Sequence, residues 1–375
     1  MKVLMFSTDE RILDKDTEVY PRMQKYAGIM ELHLIVLSRR KKEPFMEGNL
    51  CVYSAVHNNF FIRWLTAFVL AGKLCSEIPF DIVTIQAPDE IGLIGWLRAK
   101  KFKIPLQIQI HTDILSPWYK RGSWKERIRF WLALFLIPRA NCLRVVSERI
   151  KKSVELKFNN RGLRIEVLPI FTDVKKFLSV NPDPKIEERF KNFSFKMISV
   201  GRFVDKEKNF SMLLEVMKDF IKVCPQALLV LVGDGPDKNY YISKIKKGGL
   251  KNNVIIEPWR ENLPSFYKSF DLFLMSSNYE GWGRVVVEAV AAGLPIIMTD
   301  VGLAQEFVKD HKNAIITPVN DVKCFIESLT KIYKNTSLRN EIKENNVRFE
   351  WKKISQEAYL HSYRDIMERC LIKKT

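Results

Sequence analysis

The sequence predicts an α/β protein of two doubly wound domains, and two observations support this prediction. Short apolar runs alternate with stretches long enough for a helix, as in parallel sheets covered by helices on both faces. The chain has 375 residues, enough for two domains of roughly 150 residues that each bury a core. The predicted strands are 2–6, 32–37, 82–86, 105–110, 142–145, 165–168, 195–200, 227–232, 253–256, 272–275 and 295–298.

The alternation breaks once, at the turn-rich segment Asn181-Pro-Asp-Pro184. We therefore predict an N-terminal Rossmann-like domain over 1–178 on the acceptor side and a C-terminal Rossmann-like domain over 190–350. An amphipathic helix over 351–375 is expected to return toward the first domain. Ligands of doubly wound sheets bind at the carboxyl ends of the strands, so we expect a ligand cleft there.

The formal net charge is +18. An excess of this size favours an anionic partner, whether nucleic acid, phosphate ligands or a membrane surface, although a lysine-rich solvated surface explains it equally well. No run approaches about 18 uninterrupted apolar residues, so no spanning helix is expected. Six scattered cysteines without metal or redox spacing predict free thiols in a reducing, cytoplasmic compartment.

Cationic and glycine residues follow the strands of the second half. Arg202 and Lys208 come after the strand 195–200 and could clamp a diphosphate, although each could also be a surface base. Gly233 begins a Gly-Asp-Gly-Pro turn that permits close backbone approach, or that simply joins a strand to a helix.

Trp259 and Arg260 lie in a turn after the strand 253–256, where backbone groups could meet a nucleobase. Trp259 could cover that base or belong to the core. Neither residue distinguishes uracil from guanine.

Two glutamates, Glu280 and Glu288, bound a glycine-containing apolar segment. A helix over 284–293, apolar on nearly all sides, would bury the Glu288 carboxylate, which is costly without strong donors. Ribose hydroxyls would satisfy it at roughly 1.5–3 kcal/mol per bond; nearby backbone or a basic side chain would also do so. The helix start near Gly283 offers amides to a phosphate.

The spacing of the two glutamates argues against a glycosidase pair. In a continuous helix they would lie about 12 Å apart along the axis, whereas paired glycosidase carboxylates lie about 5–9.5 Å apart. They are therefore expected to serve two ends of one long ligand.

The segment Glu280-Gly-Trp-Gly-Arg-Val-Val-Val-Glu288, followed by Ala-Val-Ala-Ala-Gly-Leu-Pro295, resembles the E-x7-E motif of retaining GT-B glycosyltransferases, most of all glycosyltransferase family 4. The diphosphate cations, the glycine turn and the stretch Thr299-Asp-Val-Gly302 with Glu306 follow the family's order. The resemblance implies a GT-B fold, two Rossmann-like domains facing a central cleft. It also implies metal-independent sugar transfer from a UDP- or GDP-sugar, which is a co-substrate rather than a cofactor.

The family's acceptors are lipid-linked compounds or saccharides of cell-envelope polysaccharide and glycolipid synthesis. By the resemblance, Glu280 lies by the donor sugar and Glu288 binds the ribose. Backbone amides of Gly283, Arg284 and Val285 would hold the sugar hydroxyls and the distal phosphate.

The resemblance assigns the remaining roles as follows. Arg202 and Lys208 would neutralise the departing nucleoside diphosphate, and His111, in Gln109-Ile-His-Thr-Asp113, resembles the family's histidine near the donor sugar. The loop Ser7-Thr-Asp-Glu-Arg11 departs from the family because it lacks glycine.

Aromatic and basic residues mix in 117–138 and again in 60–65, an interfacial composition. We predict that the first domain contacts the anionic inner leaflet of the cell membrane. The alternative is a core helix whose basic side chains reach out to solvent. A GT-B nucleotide-sugar epimerase without an acceptor is the nearest rival function. A nucleic-acid-binding protein is a weaker one, because no such module is recognisable.

Overall fold

The structure, a computed structural model, describes residues 1–159, 162–260, 262–351 and 355–372. The chain divides into two units, Met1–Pro169 with Ile354–Thr375 and Ile170–Lys353. Each unit is a largely or wholly parallel sheet flanked by helices, so the predicted α/β class with two Rossmann-like units is confirmed.

The sheet of the first unit has eight strands in the order β3-β4-β2-β1-β5-β6-β7-β8. All neighbours are parallel except β3 and β4, which are antiparallel. The strands are β1 (Lys2–Ser7), β2 (Glu31–Ser38), β3 (Phe45–Glu47), β4 (Leu50–Val56), β5 (Ile82–Ile85), β6 (Leu106–Ile110), β7 (Cys142–Val145) and β8 (Arg164–Val167).

The strands β1, β2 and β5 are nearly continuous apolar runs because helices cover both faces of a parallel sheet. The sequence analysis missed β3 and β4. The short β3 is largely exposed, and β4 becomes a strand through its pairing with β2. The helices of this part of the chain are α1 (Val19–Ala27), α2 (Phe60–Glu77), α3 (Glu90–Phe102), α4 (Pro117–Lys120), α5 (Trp124–Leu136) and α6 (Glu148–Phe158).

The second unit has a six-stranded, wholly parallel sheet in the order β11-β10-β9-β12-β13-β14. Its strands are β9 (Phe195–Val200), β10 (Ala227–Val232), β11 (Val254–Glu257), β12 (Leu272–Met275), β13 (Ile296–Thr299) and the unpredicted three-residue β14 (Ile315–Thr317). Its helices are α7 (Lys175–Leu178), α8 (Pro184–Arg189), α9 (Asp205–Lys208), α10 (Phe210–Val223), α11 (Lys238–Lys247), α12 (Leu263–Lys268), α13 (Arg284–Ala291), α14 (Val322–Lys334) and α15 (Thr336–Val347).

Helix α7, which the sequence analysis placed in the first domain, packs in the second unit, where Phe177 meets Tyr267 edge-to-face. The β-branched run 285–287 favoured a strand on local propensity alone. It is helical in α13, because burial between the sheet and neighbouring helices overrides that propensity.

The last helix, α16 (Gln356–Leu371), packs in the first unit. It begins after the N-cap Ser355, so it is shorter than the predicted 351–375, of which 352–354 and 373–375 lie outside the described residues. Tyr363 on its buried face accepts a 2.7 Å hydrogen bond from the Gln109 Nε2 atom. None of the described helices combines the length and the apolar character needed to cross a bilayer.

Cys142 on β7 and Cys370 on α16 form a disulfide, with Cα atoms 5.4 Å apart. The prediction of free thiols is therefore wrong for this pair, although Cys51, Cys75, Cys224 and Cys324 are free. The two partners are 228 residues apart in sequence, a separation at which spacing says nothing about proximity.

Candidate active site

The carboxyl ends of the parallel strands in the second unit meet at one edge of the sheet. The loops at this edge contain the cations after β9, the glycine turn after β10 and the glutamate motif after β12. Doubly wound sheets bind ligands at this edge. The residues predicted for the donor in this unit are therefore on neighbouring loops.

The turn at Gly233 packs backbone against backbone on the loop after β9. A Cβ atom at Gly233 would lie 2.0 Å from the Gly201 carbonyl oxygen, and its φ of +152° also favours glycine. The Phe203 amide donates to the Asp234 carbonyl at 2.8 Å. The turn therefore fixes the loop that bears Arg202.

A second set of bonds joins the loop around Lys208 to the loop that bears Glu280. The Ser276 hydroxyl donates to the Lys208 carbonyl at 2.9 Å, and the Asn278 amide donates to the Glu207 carbonyl at 2.8 Å. These bonds place Lys208 beside the first glutamate of the motif.

The Lys208 ammonium forms an ion pair with the Glu280 carboxylate, which also accepts a 3.0 Å hydrogen bond from the Ser277 hydroxyl. The Lys208 and Glu280 side chains are 20% and 12% exposed. Partial burial lowers the local dielectric and strengthens the attraction between the charges. The two residues, 72 positions apart, thus form one charged centre.

Arg202 lies on the same edge in a more open position. Its guanidinium pairs with the Glu207 carboxylate at 2.8 Å, and its side chain is 64% exposed. Exposed ion pairs typically contribute about 0–1 kcal/mol. The guanidinium can therefore exchange Glu207 for a phosphate at little cost.

Gly283, with a φ of +95°, is the N-cap of α13. The helix spans Arg284–Ala291, so Glu280 precedes it, and the helical distance of about 12 Å does not apply to the glutamate pair. The amides of Arg284 and Val285 stand in the first turn, where an α-helix supplies no acceptor. Such amides can bind an anionic group at this edge, as helix N-termini generally do.

Glu288 is buried in α13, and its contacts include the side chains of Tyr267 and Arg284. The Tyr267 hydroxyl donates to Oε2 at 3.3 Å, and the Arg284 guanidinium lies 3.5 Å from Oε1. Burial, and then the Glu288 charge, raise the pKa of Tyr267 well above its usual value. The sequence analysis also considered that Glu288 bonds a nearby basic side chain. The contact with Arg284 agrees with that alternative.

The loop after β13 packs against the backbone of the glutamate motif. Gly302, with a φ of +57°, leaves no room for a side chain, because a Cβ atom would lie 2.5 Å from the Trp282 carbonyl oxygen and 2.9 Å from the Glu280 Cβ. The Leu303 amide donates to that Trp282 carbonyl at 3.0 Å. This contact holds the loop between the two glutamates in place.

Trp259 and Arg260, after β11, have different environments. The Trp259 side chain is 57% exposed, so the core alternative for it is wrong. The Arg260 guanidinium pairs with the buried Glu257 carboxylate and lies 4.6 Å from the centre of the Phe266 ring. Arg260 thus has local partners, whereas the indole of Trp259 is exposed to solvent.

His111 lies in the first unit, directly after β6, and its Nε2 atom is 3.1 Å from the Gln86 Oε1 atom. Burial, and then the charges of Arg144 and Arg22, lower the pKa of His111 from 6.5 to about 3. The imidazole is therefore neutral at neutral pH. It can exchange hydrogen bonds with a hydroxyl but cannot supply positive charge to a phosphate.

The sequence analysis missed Ser277 and Tyr267, which hold the two glutamates. Ser277 lies three residues before Glu280, just after the predicted strand 272–275. Its place at the carboxyl end of a strand could have indicated that it lies beside the glutamate. Tyr267 lies in α12, 21 residues before Glu288, and no local pattern indicates the contact.

Two protein-family models together match most of the chain. Residues 30–176 match Glycosyltransferase Family 4, and residues 183–349 match Glycosyl transferases group 1. These two ranges cover most of both Rossmann-like units, and the chain belongs to the family 4 glycosyltransferases, which have the GT-B fold. The predicted family and the predicted glycosyltransferase activity are confirmed.

The chain resembles several characterised proteins. It is 25% identical to the UDP-Gal:alpha-D-GlcNAc-diphosphoundecaprenol alpha-1,3-galactosyltransferase of Escherichia coli, over 88% of this chain and 85% of that protein. It is 26% identical to the alpha-monoglucosyldiacylglycerol synthase of Acholeplasma laidlawii, over 78% of this chain and 77% of that protein. Anabaena HepE, solved in complex with UDP, shares the fold with a TM-score of 0.74 and 17% identity, over 98% and 100% of the two chains.

Proposed function

We propose that the protein is a retaining, metal-independent glycosyltransferase that transfers a sugar from a UDP-sugar to a lipid-linked or saccharide acceptor of the cell envelope. The chief support is the charged centre of Lys208 and Glu280, held by Ser277 and close in sequence to Arg202, at the carboxyl edge of a Rossmann-like sheet.

In this reaction the bond between the anomeric carbon and the donor diphosphate breaks, and a bond to the acceptor oxygen forms. The departing diphosphate takes the electron pair of the broken bond and gains negative charge, and the proton of the acceptor hydroxyl passes to a phosphate oxygen of that leaving group. Arg202 and Lys208 stabilise that charge, so no metal is needed to neutralise it. Glu280, released from Lys208 by the diphosphate, contacts the donor sugar.

The ribose role of Glu288 follows from the family resemblance and from its place within α13, eight residues after Glu280. Trp259 is proposed to cover the base because its indole is exposed beside the same sheet edge. Arg260 shapes the turn through Glu257, beneath that base.

UDP is proposed as the donor nucleotide because the Escherichia coli relative is named for UDP-Gal and the Anabaena structure contains UDP. A lipid-linked acceptor is proposed because the names of two relatives contain diphosphoundecaprenol and diacylglycerol.

A thermal-shift panel of UDP, GDP and their sugars tests the donor site. UDP or a UDP-sugar should stabilise the protein by about 2.7 kcal/mol at a hundredfold excess over its dissociation constant. The shift should persist with EDTA. The absence of a shift with every nucleotide would refute the donor proposal, and a shift with GDP alone would refute the choice of UDP.

The first unit also presents an apolar surface that supports membrane contact. Helices α2 and α5 both bond to Glu90 at the start of α3: the Trp64 indole donates to its carbonyl at 2.7 Å, and the Arg129 Nε atom donates to its carboxylate at 2.9 Å. The two helices are therefore close together. Their exposed side chains, here called the apolar face, are Phe61, Ile62, Leu65 and Val69 on α2 and Trp124, Ile128, Trp131 and Phe135 on α5.

These residues recur at helical spacing, so they line one side of each helix. Exposed bases, including Arg121, Lys125 and Arg127, stand among them on and beside α5. Apolar side chains beside Lys and Arg suit the boundary between acyl chains and anionic headgroups. We therefore propose that the apolar face lies on an anionic leaflet.

Vesicle flotation tests this surface. The wild type should float with vesicles that contain phosphatidylglycerol and remain unbound with phosphatidylcholine alone. Trp131→Ser should weaken binding roughly tenfold or more, since a buried large apolar side chain contributes about 1.5–3 kcal/mol. Leu156→Ser, at an exposed leucine on α6, is the matched control. Failure of the wild type to bind anionic vesicles at low salt would refute the proposal.

A further inference from the structure

A cavity of about 390 Å³ opens at the carboxyl edge of the first unit's sheet. Its volume lies within the roughly 300–1,000 Å³ of small-molecule sites. Three neighbouring segments line it, the loop after β1, the end of β2 and the first turn of α2, and the lining residues are Thr8, Glu10, Leu37, Arg39, Phe60 and Arg63. The loop is the glycine-free segment that departs from the family pattern.

The acidic groups of this loop are engaged by the protein itself. Asp9 accepts from the Arg11 amide and binds the Arg11 guanidinium at 2.8 Å. Glu10 accepts a 2.7 Å hydrogen bond from the Arg39 amide and lies 4.0 Å from the Arg40 guanidinium. Both carboxylates are thus partly neutralised by protein groups.

The two cations of the cavity have no such partners. Within the described ranges, no carboxylate pairs with the guanidinium of Arg39 or of Arg63. Arg63 lies 5.9 Å from the centre of the Phe60 ring, a contact that leaves its donors available. Two guanidinium groups in the lining of one cavity can each bind a phosphate through two parallel hydrogen bonds.

The cavity adjoins the apolar face. Arg63 directly follows Ile62 on α2, and the exposed Phe61 and Leu65 stand on the same helix. A ligand bound here would therefore meet cations inside the cavity and apolar side chains at its border. In a phosphate attached to a lipid tail, the anionic phosphate would meet the cations and the lipid tail would meet the apolar side chains.

We propose that this cavity binds the phosphate or diphosphate of a lipid-linked acceptor, with Arg39 and Arg63 donating to its oxygens. The inference rests on the proposed function, because it states the chemical class of that enzyme's acceptor. It also assigns a role to the glycine-free loop, because Glu10 in this loop accepts a hydrogen bond from the Arg39 backbone amide and so holds Arg39 at the cavity.

Calorimetric titration with farnesyl diphosphate tests the site, at concentrations below micelle formation and with UDP present to fill the donor site. Arg39→Gln and Arg63→Gln should each weaken binding at least tenfold, as expected for a lost charged hydrogen bond. Farnesol, which lacks the phosphates, should not bind measurably. Lys73→Gln, the same charge change at an exposed position of α2, should stay within twofold of wild type.

Three results would overturn the inference: equal affinity of the wild type and both arginine variants for farnesyl diphosphate, equal binding of farnesol, or loss of phosphatidylglycerol vesicle binding alone in the variants. The last result would assign the arginines to bulk membrane headgroups. The UDP-induced thermal shift is measured on every protein as a check on folding. Its absence in the wild type would refute the proposed function, whereas a normal shift with unaltered farnesyl diphosphate binding would refute only the acceptor site.

Discussion

Replacing Lys208 by methionine keeps the aliphatic stem and removes the charge from the centre that it forms with Glu280. Among the described residues, the Glu280 carboxylate, 12% exposed, would then keep the 3.0 Å hydrogen bond from the Ser277 hydroxyl. A buried group that loses one partner typically costs about 1–3 kcal/mol. At about 2–4 °C per kcal/mol for a unit of this size, the second unit should melt roughly 2–12 °C lower.

The same substitution should slow the reaction far more than it destabilises the fold. Loss of one donor to developing negative charge typically costs about 10²–10³ in rate. Arg202→Met should slow the reaction similarly, but it should destabilise by only about 0–1 kcal/mol, because its pair with Glu207 is exposed. Lys222→Met, which breaks an exposed pair with Asp219, is the control and should change neither quantity appreciably.

The assay is release of UDP from the UDP-sugar that gives the largest thermal shift, together with calorimetric melting of each variant. If Lys208→Met releases UDP within twofold of the wild-type rate, Lys208 does not stabilise the leaving group. If it melts no lower than Lys222→Met, the partly buried pair contributes nothing to the fold, and the estimate from its exposure is wrong.

Two further predictions concern Glu288 and His111. Glu288→Ala should abolish the UDP-induced thermal shift, whereas Tyr267→Phe, which removes only the 3.3 Å bond to Glu288, should keep it; a normal shift in Glu288→Ala would refute the ribose role. Because the unfolded chain protonates His111 near pH 6.5 and the folded protein only near 3, this group makes the folded state less stable as pH falls below 6.5. Urea unfolding at pH 7.5 and 5 should show this loss, about 2 kcal/mol, in the wild type and in the exposed control His361→Gln but not in His111→Gln. Equal losses in all three proteins would contradict the partly buried, neutral imidazole.

Several features of the fold could be predicted because they depend on short stretches of chain. The run 227–232 is apolar throughout and the run 195–200 is largely apolar, since both faces of a parallel strand are covered. By contrast, β4 and β14 become strands only through pairing with β2 and β13. Their local sequences are too short or too mixed to indicate that pairing.

The same distinction applies to the site. The order of cations, glycine turn and glutamate motif along the chain indicated a nucleotide-sugar enzyme, and the spacing from Glu280 to Glu288 is a property of the sequence itself. The sequence could not show that Lys208 binds Glu280, since tertiary contacts such as the bonds of Ser276 and Asn278 bring the two loops together.

The exposed apolar face and the arginine cavity also depended on the tertiary structure. Composition indicated an interfacial stretch in 117–138, but burial of Phe130 and exposure of Trp131 depend on which side of α5 packs on α3. The amino-acid sequence alone was enough to predict the family, most of the strands and the residue types of the predicted donor site, because these follow from local periodicity and motif spacing. The pairing of charges, the bonding of cysteines and the exposure of apolar side chains became known from the three-dimensional fold, because those contacts join residues that are far apart in sequence.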